Sequence, residues 1–395
     1  MMENGVSIII PTCNGGQIFS QCLSGLKRQD YAGPLQLIIV DSGSTDKTVE
    51  LAMKAGAEVQ RIDPKQFHHA RTRNEALSLA NHEKIVFTVQ DAIPCSDIWL
   101  TSLVHALDDY PVAAVYTAQI PHDDATPYAR FEIESINEAR GHDPVIQETE
   151  SLESYAEMPY NRAYRMIGLD NVCAIYRKDR LLREPFPEVD FAEDMAWAQK
   201  SLLMGHKILY NPRIQMKHSH NRPPQYAFCR QIINSFWCAK IMGRVEDDLS
   251  FLEVGDLKSL TGGALSFVSS LLSNIFSDEP EYPGGKSLLR EILGKYPQDN
   301  WVKRFLVGRI YRRQKPMPER VKKLAGNMET GIGTLFHLIR GKYHMKDEKK
   351  QMLLLDQIVA NVMGRAYGEV YASRLLKDNI SPSLESLMRP FFHGV

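Results

Sequence analysis

The chain has 395 residues, room for two domains and a large core. With 44% hydrophobic and 24% charged residues and a formal net charge of −1, its composition is globular and carries no global field for nucleic acid. Six scattered cysteines without a C-x-x-C pair argue against a disulfide framework or a cysteine zinc site, and fit reduced thiols in a cytosolic protein.

The first residues lack the basic start and long apolar core of a secretory signal. The longest weakly polar run, Gly262–Phe276, is shorter than the roughly 20 residues that span a bilayer. Val6–Pro11 reads as a buried strand, followed by a turn over Thr12–Gly16 and a helix over Gln17–Arg28. Leu35–Val40 is a second strand. It ends in Asp41-Ser42-Gly43-Ser44-Thr45-Asp46, where Thr45 or Asp46 can cap a helix over Lys47–Ala55. Glu58–Ile62 is a shorter strand, His69–Ala80 a helix and Lys84–Val89 a fourth strand. This alternation predicts an α/β fold with a doubly wound, mostly parallel sheet.

Two of these strands end in a carboxylate, Asp41 and Asp91, at the sheet end where such folds bind ligands. Asp91, in the tip Gln90-Asp91-Ala92, can hold a hard cation through oxygen; capping the helix that begins near Ser96 is the plainer alternative. Residues 11–16 contain neither G-x-G-x-x-G nor a Walker lysine, which argues against a dinucleotide dehydrogenase or a P-loop NTPase. Arg71 and Arg73 open a helix against its macrodipole, a cost that a ligand with acceptor atoms would offset.

Further on, Ile98–Leu107 reads as a helix and Val112–Thr117 as a strand, and Pro121–Pro159 as a polar excursion. Asn171–Arg177 is strand-like. Phe191-Ala192-Glu193-Asp194 leads into a helix with Met195, Ala198, Leu202 and Leu203 at helical spacing, which puts both acids in its first turn. Lys207–Tyr210 is a last strand, ended by Pro212, and His218 and His220 follow it. Gln225–Met242 is an amphipathic helix. From 246 to 395 the periodicity is mainly helical, broken at Pro280, Pro283, Pro316, Pro318 and Pro382. Two domains are expected, 1–245 and 246–395. Residues 301–350 carry 14 Lys/Arg against 4 Asp/Glu, interleaved with Trp301, Phe305, Tyr311, Phe336 and Tyr343. This is either a solvated helical face or a basic amphipathic surface for anionic lipid headgroups or a lipid-linked diphosphate acceptor.

Taken together, SIIIPTCN (7–14), IIVDSGSTD (38–46), HARTRNEA (69–76), TVQDA (88–92) and FAEDMAWAQKSLLMGHKILYNP (191–212) resemble the inverting glycosyltransferases of family two, over roughly 1–245. The QDA form resembles their rhamnosyltransferase-like branch. The resemblance implies a GT-A fold and a metal-dependent transfer of a sugar to a glycan or lipid-linked acceptor in bacterial surface polysaccharide synthesis. The donor would be a nucleotide-sugar, with dTDP-rhamnose the first expectation.

Asp41 would contact the nucleotide base with Arg73 helping to hold it, Thr12 would lie beside the same pocket, Gln90 would stand where a carboxylate usually meets the ribose, and Asn171 would face the sugar. Asp91 and His218 would hold Mg2+ or Mn2+, with His220 in reserve. Asp194 would be the general base, with Glu193 tuning it or bonding the acceptor. The protein is then expected in the cytoplasm, or peripheral at the inner face of the membrane, with homo-oligomerisation left open. A sugar nucleotidyltransferase is disfavoured by the missing triphosphate cradle. Gln90, in place of a carboxylate, keeps a non-catalytic binding or scaffold module in view.

Overall fold

A computed structural model describes residues 5–275 and 318–392. Strands β1 (Val6–Thr12), β2 (Leu35–Asp41) and β4 (Lys84–Thr88) are nearly continuous apolar runs, as strands covered on both faces must be. Ile8, Ile9, Ile10, Ile38, Ile39, Val86 and Phe87 are fully buried. Helices α1 (Gly16–Lys27) and α2 (Thr48–Lys54), strand β3 (Glu58–Arg61) and helix α3 (His69–Ala76) complete the alternating first half. Lys47, not Asp46 or Thr45, occupies the N-cap position of α2, while Asp46 accepts the Thr48 N–H at 2.9 Å from one residue before it.

The second half contains β5 (Ile93–Pro94), α4 (Trp99–Asp109), β6 (Ala114–Ile120), α5 (Pro127–Arg140), β7 (Val145–Gln147), α6 (Leu152–Glu157), α7 (Tyr160–Met166), β8 (Cys173–Arg177), α8 (Lys178–Arg183), α9 (Glu193–Leu203) and β9 (Ile208–Lys217). The polar excursion over 121–159 therefore carries two helices and a short strand. The nine-stranded sheet runs β3-β2-β1-β4-β8-β6-β9-β5, with β7 also on β9. β1, β2, β3 and β4 are mutually parallel. β8 lies antiparallel between β4 and β6, so β6 and β9 again run with β1. The sheet is mostly parallel in its long strands, with antiparallel insertions in its second half.

Pro212 does not end the last strand. β9 continues to Lys217, and its register against β6 jumps from Thr117↔Asn211 to Ala118↔Gln215. Pro212 sits in the bulge between those pairs, where no ladder N–H is required.

The chain divides into two compact units, Met1–Ala125 with Glu132–His220, and Thr126–Phe131 with Asn221–Val395. The second contains α10 (Pro224–Met242), α11 (Val254–Ile275), α12 (Glu319–Lys342), α13 (Glu348–Leu375) and α14 (Pro382–Met388). Because α10 packs along α13, it belongs to this unit, ahead of the compositional break at 246. Pro280, Pro283, Trp301, Phe305, Arg309, Tyr311, Arg312, Arg313 and Pro316 lie outside the described residues.

Candidate active site

The β1–β2 register sets Thr12 opposite Asp41. The Thr12 hydroxyl donates to Asp41 Oδ1 at 3.2 Å, and Asp41 Oδ2 accepts the N–H groups of Gly43 (3.2 Å) and Ser44 (3.0 Å). Asp41 thus shapes the loop that follows it, and both side chains are buried. The loop after β1 is tied in the same way. Cys13 N donates to Gln90 Oε1 (2.9 Å), Asn14 N to Ser44 Oγ (2.8 Å), Gly15 N to Thr48 Oγ1 (2.8 Å) and Gly16 N to Asp46 Oδ2 (3.0 Å). Four successive amides are occupied by side chains, so this loop offers no open phosphate cradle. The bonds from Thr48 lower the Asp46 carboxyl below the usual carboxylate range.

Asp91 follows β4, and the bulge in β9 carries His218 to the same sheet end, since Ile93 pairs with Lys217. Asp91 Oδ1 lies 3.7 Å from His218 Nε2, and Oδ2 lies 3.5 Å from His220 Nδ1. The three ligand atoms fall within 4.8 Å of one another. Two residues from the end of β6 organise this cluster. Gln119 Oε1 accepts from His218 Nδ1 at 2.8 Å, which orients the ring so that Nε2 faces Asp91. His122 Nε2 donates to the Asp91 carbonyl at 3.0 Å, and the His122 N–H donates to Ser219 Oγ at 3.0 Å. One carboxylate and two imidazoles form a donor set suited to a divalent ion.

Ala192 adopts the left-handed region (φ 59°), a sharp entry that turns Glu193 and Asp194 inward at the start of α9. Glu193 Oε1 accepts from Arg73 Nη1 at 2.6 Å in a buried ion pair, and from Asn171 Nδ2 at 3.3 Å. Asp194 accepts the N–H groups of Asn171 (3.0 Å) and Met195 (2.9 Å). The Tyr176 hydroxyl donates to Asn171 Oδ1 at 2.8 Å. Burial and the neighbouring Glu193 charge push Asp194 up to about 7. Burial also raises Glu193, but the Arg73 cation and His69 outweigh it and hold Glu193 below its ordinary value. The pair is split into one charged and one titratable member.

The β4–β8 register ends at Thr88↔Cys173, so the segment after β4 that carries Asp91 and the segment before β8 that carries Asn171 leave the sheet at the same end, and the acidic pair and the Asp91–histidine cluster share it. Arg73 is 4% exposed, and its guanidinium reaches Glu193 and the His69 carbonyl, so it stands with the acidic pair. Gln119 and His122 escaped sequence reasoning because the β6 strand was expected to stop at Thr117. Their only sequence signal is that they flank the true strand end at Ile120.

A mostly parallel sheet whose carboxyl ends gather a carboxylate–imidazole cluster beside a buried acidic pair has the architecture of a GT-A glycosyltransferase. The chain belongs to glycosyl transferase family 2, whose description matches residues 7–181, and is an enzyme of that family. It is 32% identical to the O-antigen chain rhamnosyltransferase RfbN of Salmonella typhimurium over 229 residues, covering 57% of this chain and 69% of that one. It is 33% identical to the O-antigen chain rhamnosyltransferase WbaN of Salmonella anatum over 228 residues, with the same coverage of 57% and 69%. Among solved structures, the mannosyltransferase PcManGT from Pyrobaculum calidifontis, in complex with GDP-Man and Mn2+, matches at 17% identity and a TM-score of 0.44. That match covers 90% of this chain and 86% of that one.

Proposed function

We propose that this enzyme moves a sugar, with inversion, from a nucleotide-sugar to a hydroxyl of a glycan or lipid-linked acceptor in bacterial surface polysaccharide synthesis. dTDP-rhamnose is the donor expected first, a reading supported by the names of the two Salmonella relatives. The observation that carries the proposal is the Asp91–His218–His220 cluster at the carboxyl ends of β4 and β9. These three residues would hold Mg2+ or Mn2+. The bound cation would neutralise the charge that develops on the nucleoside diphosphate leaving group.

The chain's own groups supply the rest. Asp194, with a pKa near 7, accepts the proton of the acceptor hydroxyl as that oxygen attacks the anomeric carbon. Glu193, held charged by Arg73, keeps Asp194 basic and fixes Asn171 beside it. Thr12 and Asp41 shape the pocket for the nucleoside. A sugar nucleotidyltransferase is not favoured, because the amides of residues 13–16 are already engaged. No helix among the described residues is long and apolar enough to cross a membrane. A lipid-linked acceptor would then be met at the membrane surface.

The test is a thermal-shift panel of nucleotide-sugars with Mn2+ or with chelator, followed by turnover of the ligands that bind. A selective donor at a hundredfold excess over its Kd stabilises by about 2.7 kcal/mol. dTDP-rhamnose should stabilise only with metal present. Equal stabilisation under chelation, or selection of a nucleoside triphosphate, would overturn the reading.

A further inference from the structure

We infer that Gln90 is a positioning residue: its carboxamide grips the Cys13 peptide and so fixes the loop after β1 against Asp91. This rests on the metal role proposed for Asp91. Gln90 Oε1 accepts the Cys13 N–H at 2.9 Å, while Gln90 Nε2 donates back to the Cys13 carbonyl at 3.2 Å. The main chain of one residue offers one donor and one acceptor, and a carboxamide supplies the complement of both. A carboxylate here could accept from Cys13 but would set an oxygen against the Cys13 carbonyl. Asp would also be one methylene shorter.

The surroundings are built for this contact. A Cβ on Gly15 would lie 2.6 Å from Phe19 Cβ and 3.1 Å from Gln90 Oε1, so only glycine lets the loop come this close. On its other side the loop is bonded to Ser44, Asp46 and Thr48, beyond Asp41. Gln90 therefore joins the loop carrying Asp91 to the two loops that follow Thr12 and Asp41. With its oxygen committed to Cys13, Gln90 is not a member of the cation cluster. The absent carboxylate is a gain in loop geometry at the expense of one ligand.

A clamp and a degenerate cation ligand predict different outcomes for one substitution. As a ligand position, Gln90→Asp should add a carboxylate and tighten Mn2+. As a clamp, Gln90→Asp and the near-isosteric Gln90→Glu both break the reciprocal pair. Amide hydrogen exchange at residues 13–16 of the metal-free protein should then quicken about tenfold, the worth of one net hydrogen bond. The sheet amides should be unchanged. Donor KM should rise about tenfold with kcat nearly constant, since uniform binding is what is lost. Titration with Mn2+ alone should show no tightening.

Unchanged exchange at Cys13 together with tighter Mn2+ binding would overturn the clamp. Asp91→Ala provides the separate check. If it leaves Mn2+ binding intact, the metal reading fails, while exchange in metal-free protein still decides the role of Gln90. An unfolded Gln90→Glu would transfer the measurement to Gln90→Asn. That side chain keeps both hydrogen-bonding groups but is too short to reach both partners at once, and unchanged exchange there would count against the clamp.

Discussion

Asp194 is held under two opposed demands, because burial and Glu193 resist its charge while catalysis needs it. A base must be ionised, so turnover should fall as pH drops through about 7, the value to which Asp194 is pushed. Asp194→Asn should lower kcat by about 10²–10⁴ and leave donor Kd almost unchanged. Collapse of donor affinity instead would make Asp194 a binding residue and move the base to Glu193. The sign for stability is opposite to that for activity. The folded state holds the Asp194 proton more tightly than the unfolded chain does, so this group's contribution is complete at low pH and lost as pH rises through about 7. Thermal melts should therefore favour Asp194→Asn over the parent increasingly between about pH 4 and 7, and level off above that. At the other cluster, Gln119→Leu removes the acceptor that orients His218. Isothermal titration with Mn2+ alone should show affinity about 10–100-fold weaker, the usual worth of such a supporting bond. Unchanged affinity would show that His218 is oriented by its own backbone.

Among the elements, α3 and the loop before α9 act as one clamp. Asn74 exchanges two bonds with the Phe186 backbone (2.9 and 3.0 Å), Arg71 pairs with Glu188 at the surface, and Arg73 pairs with Glu193 inside. None of this was legible locally, since Arg73 and Glu193 are 120 residues apart and only the tertiary fold joins them. What was legible followed from periodicity: the apolar runs of β1, β2 and β4 announced buried strands, and their polar ends announced Asp41 and Asp91. The β6 and β9 ends stayed hidden because Pro212 reads as a stop, whereas a bulge accommodates it and extends the strand toward His218. The helical unit offers a test of a different kind. A Cβ on Gly364 would lie 2.4 Å from the Phe228 carbonyl, and one on Gly368 would lie 2.5 Å from that of Ile232, so α13 approaches the α10 backbone directly. Gly364→Ala should cost about 1–3 kcal/mol by overpacking. Gly326→Ala, on α12 with no neighbour within 4 Å, should be neutral or stabilise by up to about 1 kcal/mol through helix propensity. Equal melting shifts for the two variants would refute the tight α10–α13 contact.

For the molecule as a whole, a net charge of −1 conceals an uneven distribution. Within 318–350, eight Lys/Arg stand against four Asp/Glu. Helix α12 buries Val321, Ile332, Phe336 and Ile339, while Arg320, Lys322, Lys323 and Lys342 are exposed. Lys346, Lys349 and Lys350 extend the exposed basic set past its end. An isolated cation on a solvated face contributes little, but several facing one anionic surface add. Each is worth about 1 kcal/mol within a Debye length of about 8 Å at physiological salt. Three or four such contacts would hold the enzyme at a membrane without any spanning helix, next to an acceptor whose lipid tail stays in the bilayer. Co-sedimentation with vesicles containing anionic lipid should therefore be strong at low salt and lost near about 0.5 M, where the Debye length shrinks to a few ångströms. Neutral vesicles should retain little protein. Changing Arg320, Lys322, Lys323, Lys346, Lys349 and Lys350 to Gln should remove most of the binding and leave hydrolysis of the donor unaltered, since none of them belongs to the catalytic sheet end. Equal retention on neutral and anionic vesicles would mean that apolar contact, not charge, holds the chain there. Retention on neither would return these helices to the role of a solvated face.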